Sequence, residues 1–360
     1  YTGSGGYAVE GSRSVGVYGQ EVLGATGLTT ETGSEAENTG GKDGEQQLAE
    51  RRVVFMGLPR SGKTSILRVI FENDVPYDTM SLMPTQQRTE HRLQTTGISF
   101  YDFPGIDDFL ETQYADQDPA IYAGEYTSLV YVMDSQSDIQ SALTTFLSVV
   151  RAAQSVNVDI PINFFINKVD GLSPELRQDI QHDIQQRIFK NMGYENLNTT
   201  NVYVFQTTIF DLSIREALSR VIQNLVPNSH SLETILNSFL SKSSLDKVFL
   251  FDIASKMYLA RDSTPTDAMQ YVFACETIDA VDNLTLLGVP YLPATETEIT
   301  MQRINVTFDA NDEMFIYQVS PELLLLCIGS PRIIRQASLL EFNSSKVAKA
   351  IRQILRPRSD

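Results

Sequence analysis

The sequence predicts two folded units in tandem: an α/β domain with a mostly parallel sheet and helices on both faces, then an α+β domain with an antiparallel sheet. Three observations predict it. The 360 residues exceed one domain at roughly 150 residues each. Between Arg51 and Pro227, short apolar runs alternate with helical patterns, as parallel strands joined by crossover helices require. Beyond Pro227 the strand-like runs neighbour one another, with helices flanking them. Hydrophobic residues make up 42% of the chain and charged residues 20%, enough to bury a core.

The elements follow in order. Residues 1–50 hold 12 of the 21 glycines, none of the 14 prolines, and 8 acidic against 2 basic side chains. Their sparse, aperiodic apolar residues cannot offset the entropy of ordering, so this acidic, Gly-rich tail is expected to be disordered. It starts at Tyr1 rather than Met, and a longer parent chain is expected. Val53-Val54-Phe55-Met56, closed by Gly57, reads as a buried strand, and 63–73 as a helix. Strands are expected at 98–103, 128–134, 160–166 and 201–206, with helices at about 138–155, 174–192 and 211–225. The second unit, 228–360, reads as a helix (231–241) and two strands (247–251 and 256–259). A long helix then opens at Pro265, where a missing N–H costs nothing. Three strands near 298–308, 313–319 and 322–328 and a basic helix at 344–355 complete it.

Charge and composition exclude several classes. The net charge of −17 argues against a broad basic face for nucleic acid or anionic lipid. No apolar run approaches the ~20 residues that span a bilayer, and the final Arg356-Pro357-Arg358-Ser359-Asp360 is no prenylation box. Membrane attachment would have to come through partners, without direct insertion. Cys275 and Cys327, both in apolar runs, read as buried reduced thiols. His91, His182 and His230 lie far apart and read as surface residues.

The chemistry gathers in three motifs. Gly57-Leu58-Pro59-Arg60-Ser61-Gly62-Lys63-Thr64 fits G-x-x-x-x-G-K-[ST] between a strand and a helix. Its backbone N–H groups can cradle phosphates, Lys63 can reach the β- and γ-phosphates, and Thr64 can ligate Mg²⁺. Asp102-Phe103-Pro104-Gly105 ends a strand. Asp102 can reach Mg²⁺ through water, and the Gly105 N–H can sense a γ-phosphate. Asn167-Lys168-Val169-Asp170 follows another strand. Asp170 can accept from guanine N1–H and the 2-amino group, a donor pair adenine lacks. The Lys168 stem can lie over the base, and Asn167 can tie the loops together. The three motifs in this order favour GTP over ATP.

On these residues the chain resembles the small GTPases, and within them the Rag/Gtr family. The matching segments are M-G-L-P-R-S-G-K-T-S at 56–65, Y-D-F-P-G at 101–105, V-Y-V-M-D-S-Q at 130–136 and N-K-V-D-G-L-S at 167–173. T-T-I-F-D-L-S-I-R-E-A at 207–217 and D-K-V-F-L-F-D-I-A-S-K-M-Y-L-A-R-D-S-T-P at 246–265 are similar to the C/D-type, Gtr2-like branch. The resemblance implies a P-loop small-GTPase domain at 51–227 and an α+β roadblock-type domain at 228–360. That second domain would pair with an A/B-type, Gtr1-like partner. The resemblance also implies recruitment to the vacuole or lysosome by a membrane-anchored scaffold complex. There the chain would relay amino-acid sufficiency to the target-of-rapamycin kinase complex, with the GDP form of this subunit promoting signalling.

The resemblance carries over residue by residue. Arg60, Ser61, Gly62, Lys63, Thr64 and Ser65 match the phosphate loop, and Thr207, Thr208 and Ile209 the last base-contacting loop. Thr85 matches the first-switch threonine that would complete a Mg²⁺ shell, with Thr79 the competing position.

Two positions depart from the family pattern. Ile106 stands where the family has a water-orienting Gln, so intrinsic hydrolysis is expected to be slow or to depend on a partner's group. Asn167 stands where this branch often has His, which leaves guanine recognition intact. The alternative to a switch is a nucleotide-binding scaffold with negligible turnover. A stand-alone P-loop kinase or ATPase leaves Asp170 unexplained. Plainer readings hold elsewhere: Asp107 and Asp108 as solvated switch residues, Asp134 as a loop-orienting cap, Arg352, Arg356 and Arg358 as a solvated helix end. Phe249, Phe251 and Tyr258 read as core.

Overall fold

A computed structural model describes residues 50–105, 119–286, 303–307 and 313–355. The expected disordered tail, except Glu50, and the positions Ile106, Asp107, Asp108, Arg356 and Arg358 lie outside the described residues.

The first part runs β1 (Arg52–Met56), α1 (Lys63–Phe71), β2 (Thr89–Leu93), β3 (Ile98–Asp102), β4 (Thr127–Asp134), α2 (Ile139–Val156), β5 (Ile162–Asn167), α3 (Pro174–Tyr194), β6 (Val202–Thr207) and α4 (Ser213–Gln223). Its six-stranded sheet has the order β2-β3-β1-β4-β5-β6. Every pairing is parallel except that of β2 with β3. Strand alternation splits the core between two faces. Val53 and Phe55 face α1 and α4. Val54 and Met56 face the apolar stripes of α2 and α3, among them Phe146, Val150, Ile184 and Ile188. The strands are apolar on both sides because helices cover both.

The second part runs α5 (Ser229–Ser243), β7 (Lys247–Asp252), β8 (Tyr258–Arg261), α6 (Ala268–Leu286), β9 (Arg303–Thr307), β10 (Glu313–Ser320), β11 (Leu323–Gly329), α7 (Pro331–Ile334) and α8 (Ala337–Leu355). Its antiparallel sheet has the order β8-β7-β11-β10-β9. Phe249, Phe251 and Tyr258 pack under Tyr271 and Ile278 of α6, as core residues. Val248, Leu250 and Leu325 face Leu236 of α5 and Ile351 of α8. That second cluster continues through Leu225 and Val226 into the face of α1 and α4, so the two sheets share one apolar layer. Two hydrogen bonds reinforce the join: Tyr258 N–H to Ser219 Oγ at 3.0 Å and Arg215 Nε to the Ser255 carbonyl at 3.3 Å.

Several boundaries differ from the sequence reading. Pro265 precedes α6 rather than opening it; the Asp267 side chain caps the helix by accepting from the Met269 N–H at 3.0 Å. Strand β8 starts at Tyr258 because Lys256 adopts a left-handed turn, φ 58°, with its N–H on the Asp252 carbonyl. The last helix begins at Ala337, not 344. Arg352 donates to the Val319 carbonyl at 3.1 Å, so it clamps β10 rather than ending a solvated helix. Burial pushes the Cys275 thiol up to about 12 and raises Cys327 further, so both are inert apolar fillers. Of the histidines, His182 and His230 are exposed, whereas His91 is half-buried and stacks on Phe71 at 5.6 Å. Among the described residues, no helix is long and apolar enough to cross a membrane.

Candidate functional site

The loop between β1 and α1 is shaped by its glycines. Gly57 has φ 142°, and a Cβ there would overlap the Val132 carbonyl oxygen. Gly62 has φ 103°, and a Cβ there would overlap the Asn167 amide. Both need the one residue without a Cβ. Arg60 also adopts a left-handed conformation, φ 60°. The loop closes over Lys63, whose Nζ donates to the Gly57 and Leu58 carbonyls, both at 3.0 Å. Burial draws Lys63 down from 10.5 to about 8, with Asp102 pulling the other way. Ser61 is buried, while Thr64 and Ser65 are half-buried on the first turn of α1.

Thr64, Thr85 and Asp102 meet beside this loop. Thr64 Oγ1 donates to Asp102 Oδ2 at 2.6 Å and lies 2.6 Å from Thr85 Oγ1. Thr85 Oγ1 is 3.5 Å from the same carboxylate oxygen. Asp102 is fully buried, and its Oδ1 has no hydrogen-bond partner among the described residues. Burial raises the Asp102 carboxyl above its usual range, and the Thr64 hydrogen bond and Lys63 charge oppose that. Two hydroxyls around an under-satisfied carboxylate form an all-oxygen donor set suited to a hard divalent cation. Thr79, the rival to Thr85, turns its hydroxyl onto the Pro76 carbonyl at 2.8 Å and stays out of the group. Gly105 presses its backbone on Pro59, where a Cβ would overlap the ring.

The ends of β4, β5 and β6 supply the other side. Asn167 Nδ2 donates to the Ser61 carbonyl at 3.0 Å, tying the second loop to the first. Thr207 Oγ1 donates to Asn167 Oδ1 at 3.2 Å. The exposed Asp170 accepts from Thr208 Oγ1 at 2.6 Å, which orients the carboxylate. The Thr208 N–H is taken by Ser213 Oγ at 3.0 Å, next to Ile209. Lys168 Nζ donates to the Arg60 carbonyl and to Asp134 Oδ2, each at 2.7 Å. Ser135, though inside the matching 130–136 segment, and Tyr77 are not singled out by the sequence. Ser135 binds the Asn167 and Lys168 carbonyls through its N–H and Oγ, a contact set by the register of β4 on β5. Tyr77, exposed, packs its ring 5.1 Å from Phe210 beyond Ile209.

The C-terminal ends of β1, β3 and β5 therefore bring together a backbone loop of phosphate-binding pattern, an oxygen set suited to a divalent cation and a carboxylate oriented by a hydroxyl. Comparison with known proteins points the same way. A family model, the Gtr1/RagA G protein conserved region, matches residues 52–279. The GTP-binding protein gtr2 of Schizosaccharomyces pombe is 34% identical over 317 residues, covering 87% of this chain and 100% of that one. The human Ras-related GTP-binding protein C is 32% identical over 322 residues, 86% of this chain and 78% of that one. The GTP-binding protein GTR2 of Saccharomyces cerevisiae is 37% identical over 242 residues, 67% and 70% respectively.

Proposed function

The chain belongs to the Gtr/Rag family of GTP-binding proteins, on its Gtr2/RagC/RagD branch, and from that premise we propose that it is the guanine-nucleotide switch subunit of a Rag-type heterodimer. The observation that supports this most is the meeting of the phosphate loop, the Thr64–Thr85–Asp102 group and Asp170 on one edge of the sheet.

In this reading the loop amides from Arg60 to Ser65 and the Lys63 ammonium hold the β- and γ-phosphates. Thr64 and Thr85, with Asp102 acting through water, would hold Mg²⁺, which would neutralise phosphate charge. The orphaned Asp102 Oδ1 fits that role. Asp170 accepts from the guanine edge, and the Ile209 N–H meets the guanine oxygen, since Ser213 occupies the Thr208 N–H. Thr85 and the Gly105 N–H contact the γ-phosphate side only in the triphosphate form, so its loss releases the two switch segments. With Ile106 in place of a water-orienting Gln, hydrolysis is intrinsically slow.

The second part is proposed as a roadblock-type pairing domain. Its five-stranded antiparallel sheet, covered by α6 on one side and α5 and α8 on the other, has β9 as an outer strand for a Gtr1-like partner. Through a membrane-anchored scaffold complex at the vacuole or lysosome, the heterodimer relays amino-acid sufficiency to the target-of-rapamycin kinase complex, with this subunit acting in its GDP form.

Ile106 also supports a second reading, a nucleotide-binding scaffold with negligible turnover. Purifying the chain with and without a Gtr1-type partner, then reading assembly and bound nucleotide by native mass spectrometry, tests the heterodimer. A stable monomer that ignores such a partner contradicts it. Single-turnover GTP hydrolysis separates the readings: a rate that no activating partner raises leaves the scaffold.

A further inference from the structure

We propose that Asp134, which the sequence suggested was only a loop cap, is a positioning residue that retains the bound nucleotide by holding Lys168 over the phosphate loop. The assignment rests on the nucleotide site proposed above, and on four contacts. Lys168 sits in the left-handed region, φ 62°, which a side chain with a Cβ adopts only where its surroundings compel it. Its ammonium bridges the loop after β1 and the end of β4, donating to the Arg60 carbonyl and to Asp134 Oδ2, each at 2.7 Å. Its own carbonyl accepts from Ser135 Oγ at 2.9 Å. Its Cε passes 3.8 Å from where a Cβ of Gly62 would stand.

The lysine stem is thus drawn taut from the end of β5 across the loop, on the side where Asp170 stands two residues on. Asp134 is itself fixed. It pairs with Asn167 in the β4–β5 register, and its Oδ1 accepts from the Gln136 N–H at 2.9 Å. An anchored carboxylate holds the long lysine side chain in one geometry, at less entropic cost on binding than a lysine that must be ordered by the ligand. With Asp134 neutral, the ammonium keeps only the Arg60 carbonyl, and the stem loses its fixed path over the base.

The test uses the full chain loaded with a fluorescent GDP analogue in Mg²⁺ and chased with excess GDP. Asp134→Asn keeps the Oδ1 acceptor for Gln136 and replaces the Oδ2 acceptor of the lysine with an uncharged amide N–H₂. It is expected to release nucleotide roughly fivefold faster, as loss of one part-exposed, charge-assisted contact. Asp134→Glu restores slow release. Adding Asp134→Asn to Lys168→Ala speeds release no further. The ratio of GDP to IDP retention stays at the wild-type value, because the base edge is read by Asp170; a general collapse of the loop would move it. Wild-type release from Asp134→Asn, or effects of the two substitutions that simply add, overturn the assignment alone. A wild-type chain that retains no guanine nucleotide overturns the nucleotide reading and this assignment together.

Discussion

Thr64 Oγ1 and Thr85 Oγ1 lie 2.6 Å apart, one on the first turn of α1 and the other in the segment leading to β2. Both face Oδ2 of the buried Asp102. Thr79 spends its hydroxyl on Pro76 instead. Thr85→Ala is therefore expected to weaken retention of a non-hydrolysable GTP analogue roughly tenfold, about the worth of one ligand hydroxyl on a charged group. GDP retention should be nearly unchanged, because Thr85 is needed only with the γ-phosphate. Thr79→Ala should change neither. Stopped-flow release of the two nucleotides checks all three.

Lys63 makes the site pH-dependent. Burial holds it at about 8 instead of 10.5. Between those values the unfolded chain binds more protons than the folded one. Its contribution to stability is therefore greatest above about 10.5 and is lost as pH falls through 8. Bound phosphates favour the cation and raise its pKa again. Binding at about pH 8.5 should then take up most of one proton, and GDP affinity should fall as pH rises past 8. Calorimetry in two buffers of different ionisation enthalpy measures the uptake; none at all would contradict the assignment of Lys63.

The second sheet carries a buried ion pair. Lys247 Nζ and Asp262 Oδ1 are 3.3 Å apart, with side chains 1% and 0% exposed. Asp262 also accepts from the Val248 N–H at 2.8 Å and from Thr264. Asp262→Ala leaves both amides without an acceptor and the lysine charge with only the Thr264 carbonyl and hydroxyl, and is expected to cost about 3 kcal/mol in urea unfolding. Because both sheets share one apolar layer, that loss should move the unfolding of the whole described unit rather than of the second sheet alone.

Ile106 sets the expected chemistry. Ile106→Gln supplies a group able to orient water and should raise single-turnover GTP hydrolysis about tenfold or more in the unassisted chain. If the rate does not move, Ile106 does not limit hydrolysis.

The sequence made some parts of this site legible and hid others. Gly57, Gly62, Lys63 and Thr64 were visible because a phosphate loop is built from consecutive residues, so its spacing survives in one dimension. The parallel sheet was visible because its strands, covered on both faces, are continuous apolar runs. Strand β2, Thr-Glu-His-Arg-Leu, was missed, since an edge strand with one wet face has few apolar residues to betray it. Ser135 and the pairing of Asp134 with Lys168 depend on which strands are neighbours and in what register. No local pattern encodes that. Thr85 and Thr79 could not be separated by spacing alone; the position of one hydroxyl against Asp102 distinguishes them.

The central claim, a guanine-nucleotide site read by Asp170 and oriented by Thr208, is tested most directly by competition against a fluorescent GDP analogue on the full chain. GDP should displace it at roughly 100-fold lower concentration than ADP. Asp170→Asn, which swaps an acceptor for an amide donor, should move the preference to xanthosine diphosphate. ADP competing as well as GDP, or Asp170→Asn keeping the wild-type order, would contradict the account.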